Sequence, residues 1–383
     1  MDKRIEIYAD NLSKNYPSFR VPAFVQRTFP PDLFHKTIDQ LVEESRGLFE
    51  IKFAGQSFEQ RPVRLLTVGN GKTSVLLWSQ MHGDESTATM AIADILNYFN
   101  KTRDDEITRH LLSSLTLYFL PMLNPDGAER FQRRTAQDID MNRDAMAQST
   151  PEAKILVHLQ RQLKPQFGFN LHDQELSTVG TTKELTAIAV LAPAFDKEKS
   201  FNDVRTRAKQ LASLFASVAE RSVAGKVAKY DDTFEPRAFG DKMQLWGTST
   251  VLVESGHAFN DPEKDSIRKL NVVGLLSSFF AIADKTYTQD DMSVYDRLPF
   301  NGKRVYDIII RNVRIEEGSA GITEADLGIS FQVDTHSEQP ARLVDLGDLS
   351  TFIALKEIDG KKKTIPRKNI SLNKPFDWKE FFL

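Results

Sequence analysis

Runs of apolar residues alternate with stretches of helical periodicity along the first 290 residues of the chain. The apolar runs have the length and content of buried strands, and they lie at residues 75–79, 114–121, 167–171, 185–191 and 249–254. Apolar positions elsewhere recur at the spacing of one helical face, and the predicted helices span residues 86–99, 151–163, 202–219 and 267–287. This alternation predicts an α/β fold with a mixed, mainly parallel sheet flanked by helices.

The segment before the first buried strand predicts a smaller set of elements. A polar helix is expected at residues 37–46, followed by strands at 49–55 and 61–68. The sequence NGK at residues 70–72 is a turn former of the kind that joins antiparallel neighbours. We therefore expect a hairpin between the strand at 61–68 and the first buried strand.

The pattern changes after about residue 290, where short alternating runs are separated by Gly, Pro and Asp. Helical periodicity nearly vanishes there, and this is typical of a small β-rich domain. We expect two domains, a large α/β domain at residues 1–290 and a small β-rich domain at residues 300–383.

The composition of the chain excludes several classes of binding partner and of catalytic chemistry. The 383 residues are 40% hydrophobic and 27% charged, as in an ordinary globular protein. With 50 Lys and Arg against 53 Asp and Glu, the net charge of -3 gives no general attraction to nucleic acid or anionic membranes. The chain has no cysteine, so disulfides, thiolate metal ligands and a cysteine nucleophile are excluded. Any metal must be held by His and carboxylate side chains.

The first 19 residues are too polar to contain the apolar core of a secretory signal. No run approaches the roughly 18 apolar residues of a membrane span. These patterns favour a cytoplasmic location, with neither a membrane nor a nucleic acid as partner.

The pair His82 and Glu85 forms an HxxE motif just after a predicted buried strand. The motif lies in a strand-to-helix turn, which is where ligands usually bind in open α/β sheets. Catalytic zinc commonly takes three protein ligands and keeps one position open for water. His172 follows the run FGFNL at the end of another predicted strand. A lone His at a strand end is more often structural, but beside an HxxE motif His172 is the natural third ligand of one zinc ion per chain.

Glu254 ends the apolar run STVLV. A carboxylate is costly to bury there without a partner or a purpose. Hydrolysis at a zinc site also needs a carboxylate that takes a proton from water and passes it to the leaving nitrogen, and Glu254 is the candidate. The alternative is a strand-end Glu in an ordinary salt bridge.

A cationic cluster contains Arg130, Arg133 and Arg134, followed closely by Asn142 and Arg143. Arginine suits the capture of a carboxylate and the support of a developing oxyanion. An arginine-rich stretch taken alone is more often a solvated surface. The nearby Asp140 is expected to orient one imidazole ligand by accepting its second N–H.

Five motifs occur in an order that resembles the zinc metallocarboxypeptidases of the carboxypeptidase A-like M14 family, over residues 30–285. The motifs are His82-x-x-Glu85, Asn124-Pro125-Asp126-Gly127, Asp140-Met141-Asn142-Arg143, His172 and Glu254. The resemblance implies an α/β sheet of mixed direction flanked by helices. Some members of the family append a transthyretin-like β-sandwich, which the segment 300–383 would match.

The same resemblance implies a role for each site residue. His82, Glu85 and His172 would bind zinc, and Glu254 would act as general base and acid. Arg133 would polarise the scissile carbonyl, while Asn142 and Arg143 would grip the terminal carboxylate of a peptide substrate. Independently of the resemblance, the cationic side chains of Arg237 or Lys242, in the segment 234–246, would favour an acidic side chain at the cleaved residue.

Two other functions are compatible with parts of this pattern. Amidohydrolases of the aspartoacylase and succinylglutamate desuccinylase group share the HxxE and NR motifs and cleave small acyl amino acids. The NPDG motif and the 87-residue interval from Glu85 to His172 favour the peptidase. A non-catalytic protein that binds peptide termini is the third possibility, and retention of every chemical group argues against it.

Overall fold

A computed structural model describes residues 1–289, 291–331 and 341–379 of the protein. The chain divides into two compact units. Unit 1 contains Met1–Gln174 and Thr186–Asn301, and unit 2 contains Glu175–Leu185 and Gly302–Leu383. The predicted domain boundaries, 1–290 and 300–383, stay a prediction, and residues 290, 332–340 and 380–383 lie outside the described residues.

The helices are α1 Lys3–Phe19, α2 Pro31–Glu44, α3 Thr87–Lys101, α4 Glu106–Ser114, α5 Pro125–Glu129, α6 Pro151–Leu163, α7 Asp203–Ser222, α8 Phe239–Leu245, α9 Asp265–Asp284 and α10 Ser293–Arg297. The strands are β1 Phe49–Gln56, β2 Pro62–Val68, β3 Thr73–Ser79, β4 Leu115–Leu120, β5 Phe167–Asp173, β6 Thr178–Val179, β7 Ile188–Leu191, β8 Val227–Lys229, β9 Ser249–Ser255, β10 Asn301–Gly302, β11 Val305–Glu316, β12 Ile322–Phe331, β13 Ala341–Gly347, β14 Ile353–Asp359, β15 Thr364–Pro366 and β16 Lys374–Pro375.

Unit 1 is built on an eight-stranded sheet in the order β1-β2-β4-β3-β5-β9-β7-β8. Four neighbouring pairs are parallel, namely β4 with β3, β3 with β5, β5 with β9, and β7 with β8. The pairs β1 with β2, β2 with β4, and β7 with β9 are antiparallel. The predicted mixed, mainly parallel α/β sheet is therefore confirmed.

The predicted hairpin between β2 and β3 is wrong, because β4 lies between these two strands. The turn at residues 70–72 instead directs its backbone donors to the segment that enters β4. Asn70 N donates to Leu112 O at 2.9 Å, and Gly71 N donates to Leu115 O at 3.1 Å. A Cβ on Gly71 would lie 1.8 Å from the carbonyl carbon of Ser114, so only glycine permits this approach.

Both faces of the sheet are covered by helices, as alternate side chains of β3 show. Val75 and Leu77 pack into a core with α1, α3, α7 and α9, whereas Leu76 and Trp78 pack into a second core with α6 and α8. Successive side chains of a strand point to opposite faces, so the continuous apolar run follows from burial on both sides.

The N-terminal helix α1 has no counterpart in the elements predicted from the sequence. Its residues Ile5 and Leu12 are buried against the core. A fully buried ion pair fixes the segment that follows α1: Arg268 Nε of α9 donates to Asp94 Oδ2 of α3 at 2.7 Å, and Arg268 Nη1 donates to Phe24 O at 2.9 Å. This pair joins the N-terminal segment to the two helices beneath it.

Among the described residues, α9 is the one helix that is long and apolar enough to cross a membrane by length and hydropathy. This corrects the expectation that no stretch of the chain has the length and hydropathy of a membrane span. In the structure, 83% of the most apolar window of α9 is buried, which is typical of a core helix.

Unit 2 contains a separate six-stranded sheet with the order β14-β11-β12-β13-β16, in which β15 also pairs with β11. Its longest strand, β11, runs antiparallel to β12 and parallel to β14. Ile308, Ile310 and Leu327 are buried in its core. The predicted C-terminal β-rich part is therefore present.

Candidate metal centre

Three adjacent strands at the middle of the unit 1 sheet bring the predicted site residues together. The strands β3, β5 and β9 are mutually parallel neighbours, so their carboxyl ends lie at one edge of the sheet. His82 follows β3, while His172 and Glu254 are paired in register near the ends of β5 and β9. The sequence predicted this common edge from the position of each residue at a strand end.

The HxxE turn between β3 and α3 is held tightly by backbone contacts. Glu85 N donates to His82 O at 3.2 Å, and Gln80 Nε2 donates to Gly83 O at 2.8 Å. A Cβ on Gly83 would lie 2.0 Å from the carbonyl carbon of Gly127, so a side chain at residue 83 would force the turn away from α5. The glycine inside the motif thus allows two backbone segments to meet.

Glu85 lies between the two imidazole rings. Its Oε1 is 2.8 Å from His82 Nδ1, and its Oε2 is 2.7 Å from His172 Nδ1. The ring centroids of the two histidines are 4.9 Å apart, and all three side chains are buried. Among residues 1–289, 291–331 and 341–379, these three form the one group of His, Asp and Glu side chains whose donor atoms converge as metal ligands would, within 4.8 Å of one another. Two imidazole nitrogens and one carboxylate are a donor set that fits zinc.

The buried ionisable groups of the cluster shift one another's pKa values. Burial favours the neutral ring of His82, but the carboxylates of Glu85 and Asp140 together outweigh it and raise the pKa of His82 to about 9. Burial likewise opposes ionisation of Glu85, yet the His82 and His172 rings hold the pKa of Glu85 well below its usual range. The carboxylate is therefore kept ionised, as a ligand must be.

Asp140 lies behind His82. Its Oδ1 is 3.1 Å from His82 Nε2 and accepts from the backbone N of Asn142 at 2.9 Å. Although burial opposes ionisation, the hydrogen bond with His82 lowers the pKa of Asp140. A carboxylate at this position fixes the ring so that Nδ1 faces the cluster.

The structure separates the three arginines of the cationic cluster. Arg133 Nη1 donates to Glu85 Oε1 at 3.1 Å, and its Nη2 donates to Asp140 Oδ2 at 3.1 Å. Arg130 instead pairs with Glu59, and Arg134 donates to the carbonyl of Asp138. Arg133 is thus the member that contacts the predicted ligand cluster.

Asn142 and Arg143 lie on a short 3₁₀ turn, Met141–Arg143, beside the cluster. The side chain of Asn142 is fixed, because its Oδ1 accepts from Phe239 N at 2.9 Å and its Nδ2 lies 3.5 Å from His172 Nε2. The side chain of Arg143 is 41% exposed, and its Nε lies 3.6 Å from Glu235 Oε2. Sequence reasoning did not single out Glu235, because a lone Glu in a polar loop carries no motif.

Glu254 is buried beside His172 on the neighbouring strand, with 6% of its surface exposed. Burial and the nearby carboxylate of Glu85 raise the pKa of Glu254 to about 8. A carboxyl group whose pKa lies near neutrality is suited to both accepting and donating a proton.

The NPDG motif supports the site without facing it. Asn124 caps α5, accepting from Gly127 N through its Oδ1 at 2.9 Å. The fully buried Asp126 accepts from Ser57 Oγ at 2.7 Å and from Arg61 Nη1 at 2.7 Å. The motif and the hairpin of β1 and β2 therefore hold each other in place.

Solved metallocarboxypeptidases share this mixed, helix-flanked sheet. Consistently, the family model described as zinc carboxypeptidase matches residues 34–172. The resemblance to the M14 zinc metallocarboxypeptidases is thereby confirmed.

Individual relatives share the fold at low sequence identity. A metallo-carboxypeptidase from Burkholderia cenocepacia has a TM-score of 0.54 at 17% identity, over 67% of this chain and 70% of that one. A metallo-carboxypeptidase from Pseudomonas aeruginosa, in complex with (2-guanidinoethylmercapto)succinic acid, has a TM-score of 0.53 at 16% identity over the same shares, 67% and 70%. Carboxypeptidase A2 of Rattus norvegicus is 31% identical over 96 residues, or 24% of this chain and 23% of that protein. Across the curated relatives the match spans between 23% and 33% of their length.

Proposed function

We propose that the protein is a zinc-dependent metallocarboxypeptidase that removes C-terminal residues from peptides. The observation that carries this proposal is the carboxylate of Glu85 between the Nδ1 atoms of His82 and His172, at 2.8 and 2.7 Å. The zinc carboxypeptidase match over residues 34–172 supports it.

His82, Glu85 and His172 would hold one zinc ion per chain. Zinc in such a set acts as a Lewis acid on a carbonyl oxygen and lowers the pKa of bound water. Asp140 would keep the ring of His82 in the tautomer and orientation that this ligation requires, since it contacts the opposite ring nitrogen at 3.1 Å.

Glu254 would move the proton in the reaction. As a carboxylate it accepts a proton from the attacking water, and as the acid it returns the proton to the leaving nitrogen. Its raised pKa, about 8, supports both roles near neutral pH. Arg133 would donate hydrogen bonds to the carbonyl oxygen as negative charge develops on it.

Asn142 and Arg143 would bind the free carboxylate of the peptide. A guanidinium binds a carboxylate through two parallel hydrogen bonds, and the side chain of Arg143 is partly exposed to solvent, where a substrate would reach it. Restricting binding to a terminal carboxylate would make the protein an exopeptidase.

The test uses purified protein, metal analysis and two substrate classes. We expect about one zinc per chain and hydrolysis of hippuryl-type peptides that a chelator abolishes and zinc restores. The Glu254→Gln variant should retain zinc and lose turnover. An active Gln variant would contradict the role of Glu254. Hydrolysis of N-acyl amino acids in place of peptides would favour the amidohydrolase group, and a zinc-free protein without activity would leave only a peptide-terminus binder.

A further inference from the structure

A buried lysine lies behind the candidate metal centre. Lys264 precedes α9 and only 1% of its side chain is exposed. Its Nζ donates to Asp173 Oδ2 at 3.1 Å and to Ser255 O at 3.2 Å. Its backbone has φ of 54°, in the left-handed region that residues other than glycine rarely adopt.

The partners of Lys264 adjoin the site residues in sequence. Asp173 directly follows His172, and Ser255 directly follows Glu254. Asp173 Oδ2 also accepts from Thr87 Oγ1 at 2.6 Å. Thr87 is the first residue of α3, two positions after Glu85. The network Thr87–Asp173–Lys264–Ser255 therefore joins the three segments that carry the HxxE motif, His172 and Glu254.

Retaining Lys264 in this place is energetically unfavourable in two ways. A buried ammonium loses its hydration, and the ion pair with Asp173 recovers that loss only with good geometry. The left-handed backbone adds strain that persists only where the surroundings enforce it. Well-packed apolar residues often replace buried ion pairs without loss of stability, so stability alone does not account for Lys264.

We propose that Lys264 is a positioning residue for the metal centre. By tying the ends of β5 and β9 to each other, and through Asp173 to the start of α3, it fixes the spacing of His172, Glu254 and the HxxE motif. The inference rests on the proposed function, because it takes His82, Glu85 and His172 as zinc ligands.

The same helix offers a matched control. Arg268 lies one turn after Lys264 and forms a fully buried ion pair with Asp94. Its contacts run to the N-terminal segment, at Phe24 O and Val21 O, away from the site residues. Loss of either cation leaves a buried carboxylate unpaired, so Lys264→Met and Arg268→Met should both lower the melting temperature.

The experiment measures zinc affinity by chelator competition, together with kcat and KM, for Lys264→Met and Arg268→Met. We expect Lys264→Met to lower zinc affinity and kcat by roughly 10–100-fold, as is usual when support of metal ligands is lost, with KM little changed. Arg268→Met should leave zinc affinity and kcat within about 3-fold of the wild type in the folded protein, because no site residue contacts Arg268. Equal effects of the two variants on zinc affinity and kcat would overturn the proposal.

A milder pair of variants keeps the test decisive if Lys264→Met does not fold. Thr87→Val removes only the hydroxyl that reaches Asp173, and Thr108→Val removes a buried hydroxyl that lies 2.8 Å from Thr102 Oγ1. Thr87→Val should weaken zinc binding about 3–10-fold, the effect of one hydrogen bond, and Thr108→Val should not. Unchanged zinc affinity in Thr87→Val would overturn the proposal. If the wild type binds zinc but cleaves no peptide, the proposed function fails while the zinc affinities still decide the role of Lys264.

Discussion

The guanidinium of Arg143 faces the carboxylate of Glu235, with Arg143 Nε 3.6 Å from Glu235 Oε2. Arg237 also binds Glu235, at 2.7 Å. Hydrogen bonds from Arg237, together with the charge of Arg143, lower the pKa of Glu235 to about 2. The residue proposed to bind a substrate carboxylate thus already faces a carboxylate of the protein.

Glu235→Gln should therefore improve substrate binding. Removal of the competing charge leaves Arg143 with its hydrogen bond to Asn142 O but without its ionic partner. A partly exposed ion pair is worth about 0.2–1 kcal/mol, so KM for a C-terminal peptide substrate should fall by roughly 1.5–5-fold. Steady-state kinetics measure the change, with Arg143→Met as the opposite case, in which KM rises. A higher KM in Glu235→Gln would mean that Glu235 orients Arg143 instead of competing for it.

Arg133→Met should lower kcat by about 10²–10³-fold, because it removes a donor to the developing oxyanion. KM should change much less if Arg133 acts mainly in the transition state. Arg134→Met is the matched control, since Arg134 donates to the backbone of Asp138 and not to the cluster. Comparable losses of kcat in both variants would contradict the role of Arg133.

Asp140→Asn should weaken zinc binding by roughly 10–100-fold, because the amide no longer holds the ring of His82 as a carboxylate does. Chelator competition measures this affinity. Asp138→Asn serves as control, since the side chain of Asp138 is 91% exposed and pairs with Arg134. Unaltered affinity in Asp140→Asn would show that His82 is oriented by other contacts.

Glu254 predicts a pH-dependent effect on stability once the metal has been removed with a chelator. Because burial raises the pKa of Glu254 from 4.5 to about 8, the folded state holds this proton more tightly than the unfolded state. The charged carboxylate therefore destabilises the fold increasingly as pH rises from about 4.5 to about 8. Glu254→Gln should be more stable than the wild type at pH 8.5 by at least about 1 kcal/mol, and this advantage should disappear near pH 4.5.

Thermal or urea unfolding at both pH values measures the difference. The exposed Glu43→Gln variant is the control and should show no such pH trend. An equal advantage of Glu254→Gln at pH 4.5 and pH 8.5 would show that packing, not ionisation, causes it.

Much of the α/β core was predictable because strands that are buried on both faces have continuous apolar sequences. The strand at Thr73–Ser79 and the helix at Pro151–Leu163 appear at or near their predicted bounds. The order of the strands was not predictable from the turn at residues 70–72, because a turn sequence does not reveal that β4 will insert beside it. The helix α1 was not predicted, although its buried residues Ile5, Leu12 and Phe19 recur at the spacing of one helical face.

The candidate site likewise has a part that could be predicted from the sequence and a part that could not. His82 and Glu85 were found through the HxxE motif, whereas His172 and Glu254 were found because each stands at a strand end. The structure brings all four to one edge of the sheet. Their roles, and the cytoplasmic location, stay predictions. The choice of Arg133 from its neighbours, the pairing of Glu235 and the buried network of Lys264 depend on side-chain directions between distant segments, which local sequence patterns do not encode.

The central position of β3, β5 and β9 has a consequence for exchange with solvent. Each of these strands is hydrogen-bonded to a neighbour on both sides, and the core helices cover them. Amide protons in such strands exchange only when the strand opens, and opening of core strands requires the highest free energy in a protein. We therefore expect the backbone amides of Leu77, Phe169 and Val251 to be among the slowest to take up deuterium. Release of a metal bound at the strand ends would then require motion of side chains at the sheet edge, not fraying of the sheet itself.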